Sequence, residues 1–512
     1  MNRIHEMLQV SSQITPQSLA LIDPNGRPLT YHELMQAVDQ AQAALVRFDV
    51  RAGDRVMIIG ENSVEMIAFL FACSRLDAWA IPSNARMSAL ELDRIAKHAA
   101  VRTIVTTDGV SLNAVQHAAR LGANPATGGF GSVSISDARP CEVEPTSPSA
   151  AEQVAVLMYT TGTTGDPKGV MITHANLLFA ANASATVRSL KVEDLVYCAL
   201  PFSHIFGLAS ALLASLSVGA GLQLQTRFTA ESLYEALKSG VTVLPAVPQM
   251  HALLMEFVRE KGLDKLKAPQ LRYVSSGAAP LDPAWKRRAE AFYGVAVQNG
   301  YGMTETTAGI STTSFEIGNP NISTGKPLDG TEAKVVSAPD QDDLQEGVGE
   351  ILVRGPHVMK GYYKNPAETA KVHRADGFLH TGDLGRFDED GNLEVVGRCK
   401  ELIISGGFNI YPPEVEAALN DHPAIIQAAV VGRKLEGGNE EVLAFAQVAD
   451  LESISKFALK EHLMSRLAPY KHPAQIVFTM ALPAASTGKI LKHKLIETFQ
   501  DDLESECTKQ PV

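Results

Sequence analysis

Tyr159-Thr160-Thr161-Gly162-Thr163-Thr164-Gly165-Asp166-Pro167-Lys168-Gly169 follows an apolar run, Val154-Ala155-Val156-Leu157-Met158. The run reads as a buried strand, which places the Thr/Gly-rich stretch on a loop at a sheet edge. Small residues let backbone amides approach an anion, the threonine hydroxyls donate to it, and Lys168 adds charge. That combination is the chemistry of a polyphosphate cradle. It differs from a Walker loop, because Pro167 stands where the second glycine belongs and Gly169 replaces the Ser or Thr after the lysine.

Outward from this loop, the chain alternates strand-like and helix-like patterns up to about residue 300. Thr30-Tyr31-His32-Glu33 is a capping box ahead of Leu34, Val38, Ala41 and Leu45 at helical spacing. Val56 to Ile59, Thr103 to Thr106, Val241 to Leu244 and Leu271 to Ser275 read as strands. Alternation of this kind predicts an α/β architecture with mostly parallel sheets and ligands at the carboxyl ends of strands. Residues 121 to 150, rich in Gly, Ser, Ala and Pro, read as a flexible surface connection. From about Gly325 the texture shifts to short strands and turns, including Gly349 to Val353 and the hairpin turn Asp388-Glu389-Asp390-Gly391-Asn392. A compact α+β piece follows Gly397-Arg398-Cys399-Lys400, with a helical pattern from Ile454 to Arg466.

The 512 residues are too many for one core, and roughly two to four domains are expected. A hydrophobic fraction of 45% with 20% charged residues describes a globular chain. A net charge of −12 argues against nucleic-acid binding, which needs a basic face. The five cysteines (Cys73, Cys141, Cys198, Cys399 and Cys507) lack any Cys-x-x-Cys pairing, so neither disulfides nor zinc are expected. With no signal-like apolar segment at Met1 to Glu6, a reducing cytoplasm fits. Ile205 to Leu224 carries no charge, but its glycines and serines read as a buried helix followed by a strand, not a transmembrane segment.

Five further segments complete the pattern: Pro201-Phe202-Ser203-His204-Ile205-Phe206-Gly207; Asn299-Gly300-Tyr301-Gly302-Met303-Thr304-Glu305; His380-Thr381-Gly382-Asp383; Gly397-Arg398-Cys399-Lys400-Glu401 with Ser405-Gly406-Gly407; and Ser486-Thr487-Gly488-Lys489. Each alone has an ordinary reading, as a packed aromatic, a turn cap or a solvated charge. In this order and spacing, the chain resembles the adenylate-forming superfamily of acyl-CoA synthetases, adenylation domains and beetle luciferases. The resemblance runs from about residue 10 to 495.

The resemblance implies an α/β fold: a large N-terminal region of two α/β subdomains plus a small β-barrel-like subdomain, and a small mobile α+β C-terminal domain. The corresponding division is 1–399 and 400–512, hinged at Lys400. It implies ATP-dependent activation of a carboxylic acid to an acyl-adenylate, then thioesterification to coenzyme A, with ATP, Mg²⁺ and coenzyme A as co-reactants. Thr160, Thr161, Gly162, Thr163, Thr164, Gly165 and Lys168 would cradle the phosphates. Glu305 would hold Mg²⁺ and Thr304 the α-phosphate. Tyr301 would stack on adenine, flanked by Gly277, Ala278, Asn299, Gly300 and Gly302. Asp383 would accept from the ribose hydroxyls, helped by Arg398. Lys489 would bridge carboxylate and α-phosphate, and rotation at Lys400 would exchange it for the Gly406-Gly407 loop that lines the thiol channel. Thr161 stands where serine is usual and keeps the hydroxyl.

His204 resembles the pocket histidine of the family; a core histidine bonded to backbone is the plainer alternative. Small apolar segments (Ser203 to Phe206, Ala246 to Pro248, Ser276 to Ala279, Gly302-Met303) would wall the acyl site. No aspartate for an amine and no arginine for a second carboxylate stands out in them, so a neutral fatty or aromatic acid is expected. Transfer to a carrier-protein thiol, a non-catalytic nucleotide- or acyl-binding protein, and a luciferase-like oxygenase are the alternatives. A homodimer is a further candidate assembly.

Overall fold

The computed structural model describes the chain apart from residues 161–167, 264, 265, 267, 278–280, 338–343, 345, 406, 407, 436–439, 452, 453, 485–489 and 508–512. Two large sheets organise most of the chain up to Tyr362. In the first, Gly361–Tyr362, Lys168–Thr173, Val154–Thr160, Trp79–Asn84, Arg55–Gly60, Thr103–Thr106, Gly131–Ile135 and Asn124–Gly128 lie side by side in that order. Its centre is parallel and every residue of Arg55–Gly60 and Trp79–Asn84 is buried, as expected of strands covered on both faces. In the second, Val297–Tyr301, Tyr273–Gly277, Val243–Ala246, Leu195–Cys198 and Gly221–Leu224 form a parallel block. Between the sheets runs one apolar core to which Leu34, Val38, Ala41 and Leu45 all contribute, each fully buried. The helix that carries them, Tyr31–Arg47, starts at Thr30, which accepts from Glu33 in the anticipated capping box.

Glu332–Val336, Gly349–Arg354, Leu379–Phe387 and Leu393–Arg398 make a four-stranded antiparallel sheet. The last two strands meet at the Asp388 turn, where Asp388 Oδ1 accepts from the amides of Asp390 and Asn392. Beyond Lys400, Ile425–Lys434, Glu440–Val448 and Gln475–Thr479 form a three-stranded sheet packed with the helices Pro412–Asn420 and Lys456–Met464 around a core of their own.

Two expectations need correction. Residues 121 to 150 are not a bare connection: Asn124–Gly128 and Gly131–Ile135 form a hairpin on the edge of the first sheet. Phe130, Val133 and Ile135 drive it into the core, and the small polar residues between them masked the alternation. The strands read at 241–244 and 271–275 lie two residues later, because cross-strand register with their neighbours sets their ends. The uncharged run is internal, helix then strand as expected: a π-helix Phe206–Leu213, a short helix Ala214–Val218 and the strand Gly221–Leu224. No helix among the described residues is long and apolar enough to cross a membrane.

Candidate active site

The strands Val154–Thr160 and Lys168–Thr173 pair antiparallel, with Thr160 opposite Lys168. The sequence-defined phosphate loop therefore joins two neighbouring strands at a sheet end. Thr161, Gly162, Thr163, Thr164 and Gly165 themselves lie outside the described residues, as do Ala278, Gly406, Gly407 and Lys489.

Lys168 is held in place. Its Nζ lies 2.6 Å from Glu368 Oε2 and 5.2 Å from the centroid of the Tyr362 ring. Tyr362 arrives through the strand Gly361–Tyr362, which adds to the edge of Lys168–Thr173. Its hydroxyl donates to Glu305 Oε1 at 2.8 Å. Lysine, aromatic ring and carboxylate thus form one connected cluster. Hydrogen bonds from Lys168 and then Lys371 pull the Glu368 carboxyl down to about 2.

Glu305 sits on a one-turn 3₁₀ segment, Thr304–Thr306, with Thr304 buried behind it. The backbone there is forced: Thr307 and Ala308 adopt φ of 47° and 83°, a region that L-residues enter only under constraint. The Met359 amide donates to the Glu305 carbonyl and Thr307 Oγ1 donates to the His357 carbonyl, which pins the turn. Gly302 faces the same turn. A Cβ on it would stand 1.3 Å from the Ala308 carbonyl oxygen.

Beside this cluster, Tyr301 Oη donates to Asp383 Oδ2 at 2.5 Å, and Arg398 Nε lies 3.0 Å from Asp383 Oδ1. Sheet register creates the triangle, because Asp383 and Arg398 are direct partners across neighbouring strands. Burial, then the Asp383 charge, push the Tyr301 phenol well above its ordinary value, so it remains a donor. Arg398 is held charged chiefly by Asp383, with Glu305 also within electrostatic reach. The two clusters therefore share one field.

The floor is made of glycine. Gly277 and Gly300 are partners on adjacent parallel strands, and Ala246 and Ser276 pair on the next. Phe206 lies over Gly277, where an added Cβ would come within 3.1 Å of its ring. His204 precedes the π-helix; its Nδ1 accepts from the Phe206 amide at 3.3 Å, and its own N–H donates to the Pro201 carbonyl. Asn299 is a brace: its amide donates to the Ser323 carbonyl at 3.2 Å and its Oδ1 accepts from Gly300 N–H at 3.0 Å. Lys400 is exposed in the turn after Leu393–Arg398, and the next residue, Glu401, is gripped by Lys492 at 3.2 Å.

Sequence reasoning missed Tyr362, Glu368 and Arg188. Glu368 meets Lys168 across 200 positions of chain, and no local pattern announces that. Arg188 lies outside the wall segments read from sequence: its two Nη atoms donate to the carbonyl and hydroxyl of Ser210, on the helical segment that begins at Phe206.

The residues fit the co-reactants implied by sequence. Glu305 offers a half-buried carboxylate oriented by Tyr362, suited to a hard cation that keeps phosphate and water ligands. The glycine floor and the Tyr301–Asp383–Arg398 triangle offer a flat apolar surface beside hydroxyl-binding groups.

Residues 8–363 match the AMP-binding enzyme family and residues 414–489 its C-terminal domain. The chain is 34% identical to a feruloyl-CoA synthase of Amycolatopsis sp, over 95% of this chain and 97% of that protein. It is also 34% identical to the 2-succinylbenzoate–CoA ligase of Geobacillus kaustophilus, over 97% and 98%. The fold superposes on ATP-bound MatB from Rhodopseudomonas palustris with a TM-score of 0.83 at 29% identity, covering 97% and 99%. It superposes on o-succinylbenzoate coenzyme A synthetase (MenE) from Bacillus subtilis, in complex with ATP and magnesium ion, with a TM-score of 0.80 at 31% identity, covering 96% and 98%. With both family domains in order and full-length relatives on either measure, the chain belongs to the AMP-binding enzymes of the adenylate-forming acyl-CoA ligase superfamily.

Proposed function

We propose that this chain is an AMP-forming acid–thiol ligase whose acid is aromatic. It activates the carboxylate with ATP, releasing pyrophosphate, and passes the acyl group to coenzyme A, releasing AMP. The observation that carries the reading is the Tyr301–Asp383–Arg398 triangle set against the Lys168–Tyr362–Glu305 cluster. One group holds a nucleoside by its hydroxyls, the other a polyphosphate by its charge. The aromatic choice draws on the flat Gly277–Gly300 floor and on relatives named for feruloyl, coumaroyl and succinylbenzoyl acids.

In this reading Asp383 accepts from the ribose hydroxyls while Tyr301 and Arg398 hold its carboxylate in place. The adenine stacks over Tyr301 above Gly300. Lys168 exchanges Glu368 for phosphate oxygens, joined by the amides and hydroxyls of residues 160–165. Glu305 would hold Mg²⁺, which would supply charge neutralisation at the phosphates. Thr304 donates to the α-phosphate, and Lys489 bridges it to the attacking carboxylate. Positioned charge of this kind supplies most of the acceleration in phosphoryl and nucleotidyl transfer. Lys400 is the pivot on which the region from 400 onward turns, replacing Lys489 by Gly406 and Gly407 for the thiol step; 1–399 and 400–512 are the two bodies. His204 edges the acyl entrance. A reducing cytoplasm is the setting, and a homodimer a candidate assembly.

The test is AMP release from ATP across fatty, aryl and dicarboxylic acids, with and without coenzyme A, repeated with Lys489→Ala. CoA-dependent turnover peaking on an aryl acid is expected. Lys489→Ala should abolish adenylation and spare thiolation of supplied acyl-adenylate. Adenylation without CoA-dependent turnover would point to a carrier-protein thiol. Equal loss of both steps in the variant would remove Lys489 from its role.

A further inference from the structure

Arg188 ends the helix His174–Val187 as its C-cap and is only 5% exposed. Its Nη atoms grip Ser210, one on the backbone carbonyl and one on Oγ at 2.7 Å. The buried Nε has no hydrogen-bond partner among the described residues. A guanidinium is rarely enclosed this fully without a counter-charge. Yet the groups that favour its charge are the neutral Tyr273 and Cys198. The Asp194 carboxylate is occupied by Arg272 instead, at 2.8 and 2.5 Å.

The position of Arg188 gives that missing partner a direction. Gly277 faces Phe206 across the floor of the site. Strand alternation puts Ser275 and Tyr273 on that same face, successively farther from the catalytic end. On the opposite side, Ser210 lies about one helical turn beyond Phe206. Both walls therefore run from the Phe206–Gly277 contact to the Ser210–Arg188–Tyr273 group. Polar side chains gather beyond the glycine floor: Ser275 Oγ is buried with no hydrogen-bond partner among the described residues, Tyr273 lies within electrostatic reach of Arg188, and Thr312 pairs with Gly300. From Gly277 to Tyr273 the strand rises roughly 13 Å, on the order of the length of an extended, ring-substituted aryl acid.

We propose that Arg188 recognises an oxygen acceptor at the far end of an aryl acid and so selects the ring substituent this ligase accepts. The proposal rests on the ligase reading above and adds the chemical class of the acid. Its rival is a purely structural role, in which Arg188 only ties the displaced Ser210 carbonyl of the π-helix.

The test compares kcat/KM for pyrophosphate release with four phenylpropenoic acids: unsubstituted, 4-methyl, 4-hydroxy and 4-carboxy. It uses the full-length wild type, Arg188→Met and Arg188→Lys. The wild type should favour an oxygen-bearing acid over its methyl counterpart by about 10⁴-fold, as a site built to bond a polar group does. Whether hydroxyl or carboxylate leads identifies the acceptor as neutral or anionic. Arg188→Met should bring that ratio close to one. Arg188→Lys should recover part of it for the 4-carboxy acid, since a point charge serves a carboxylate but lacks the planar fork. Equal wild-type rates for methyl and oxygen-bearing acids would overturn the proposal. So would a loss in Arg188→Met that is uniform across all four. If Arg188→Met fails to fold, the wild-type ratio and the Arg188→Lys profile decide. No turnover of any acid would defeat the ligase reading itself, whereas turnover without substituent preference defeats only the role of Arg188.

Discussion

In the proposed ligase, the nucleotide side and the acyl side of the site handle charge in opposite ways. On the nucleotide side, cations meet carboxylates: Lys168 meets Glu368, and Arg398 meets Asp383. On the acyl side the walls are small or apolar, and the cation there, Arg188, contacts neutral groups. A paired, partly exposed cation can trade its carboxylate for a phosphate with little change in solvation. A fully enclosed one has no water to fall back on, and on the proposal above its answer comes with the substrate. The contrast teaches that affinity for nucleotide and selectivity for acid are built from different electrostatics within one cleft.

Breaking the turn between the two sides should have the largest effect. Gly302→Ala places a methyl against the Ala308 carbonyl, where backbone cannot yield cheaply. A loss of at least ~4 kcal/mol of stability, with adenylation abolished, is expected for such a clash. Chemical denaturation with an activity assay checks it, and a variant that folds and works normally would show that this turn is not rigid.

Acid should separate the sides next. His251 is fully buried, with Nδ1 at 2.8 Å from Tyr293 Oη and Nε2 at 3.3 Å from the Ser275 carbonyl. Burial drives it down to about 4. The unfolded chain therefore binds a proton near pH 6.5 that the folded chain refuses, and stability falls as pH drops from about 6.5 to about 4. The loss from His251 is about 3 kcal/mol. His174 and His357, at about 3 and about 4, act in the same direction. The Lys168–Glu368 pair has the opposite sign: its contribution is present above the ordinary carboxyl range and lost only as pH falls toward about 2. Urea titrations at pH 7 and pH 5 should differ in midpoint, and His251→Asn should narrow the gap. Identical midpoints would remove the histidines from the account.

Smaller effects sharpen the nucleotide side. Tyr362→Phe deletes the donor to Glu305 and should raise the Mg²⁺ half-saturation about 5-fold, the equivalent of one hydrogen bond near 1 kcal/mol. An unchanged metal titration would detach Tyr362 from metal binding. Glu368→Gln should have the least effect, because a solvent-screened ion pair contributes little. The apparent KM for ATP should fall by no more than a few-fold, as Lys168 no longer has to leave a partner. A tenfold rise would mean that Glu368 orients the loop instead of releasing its lysine.

Much of this molecule is local and hence legible from sequence. The capping box at Thr30, the strand beginning at Val154, the Asp388 turn and the order of motifs each depend on residues a few positions apart. The hairpin at 124–135 was hidden because its apolar residues are sparse, and only the sheet edge it joins reveals them as core.

The sequence by itself determined the family, the two-sheet α/β plan and the candidate site residues, because spacing and residue type carry that information within short windows. Tertiary structure alone decided what each site residue touches. Asp383 meets Arg398 through strand register, Lys168 meets Glu368 across 200 positions, and Arg188 reaches Ser210 inside the core. The physical reason is that electrostatics and burial depend on distance in space, and chain separation does not encode that until the sheets have closed.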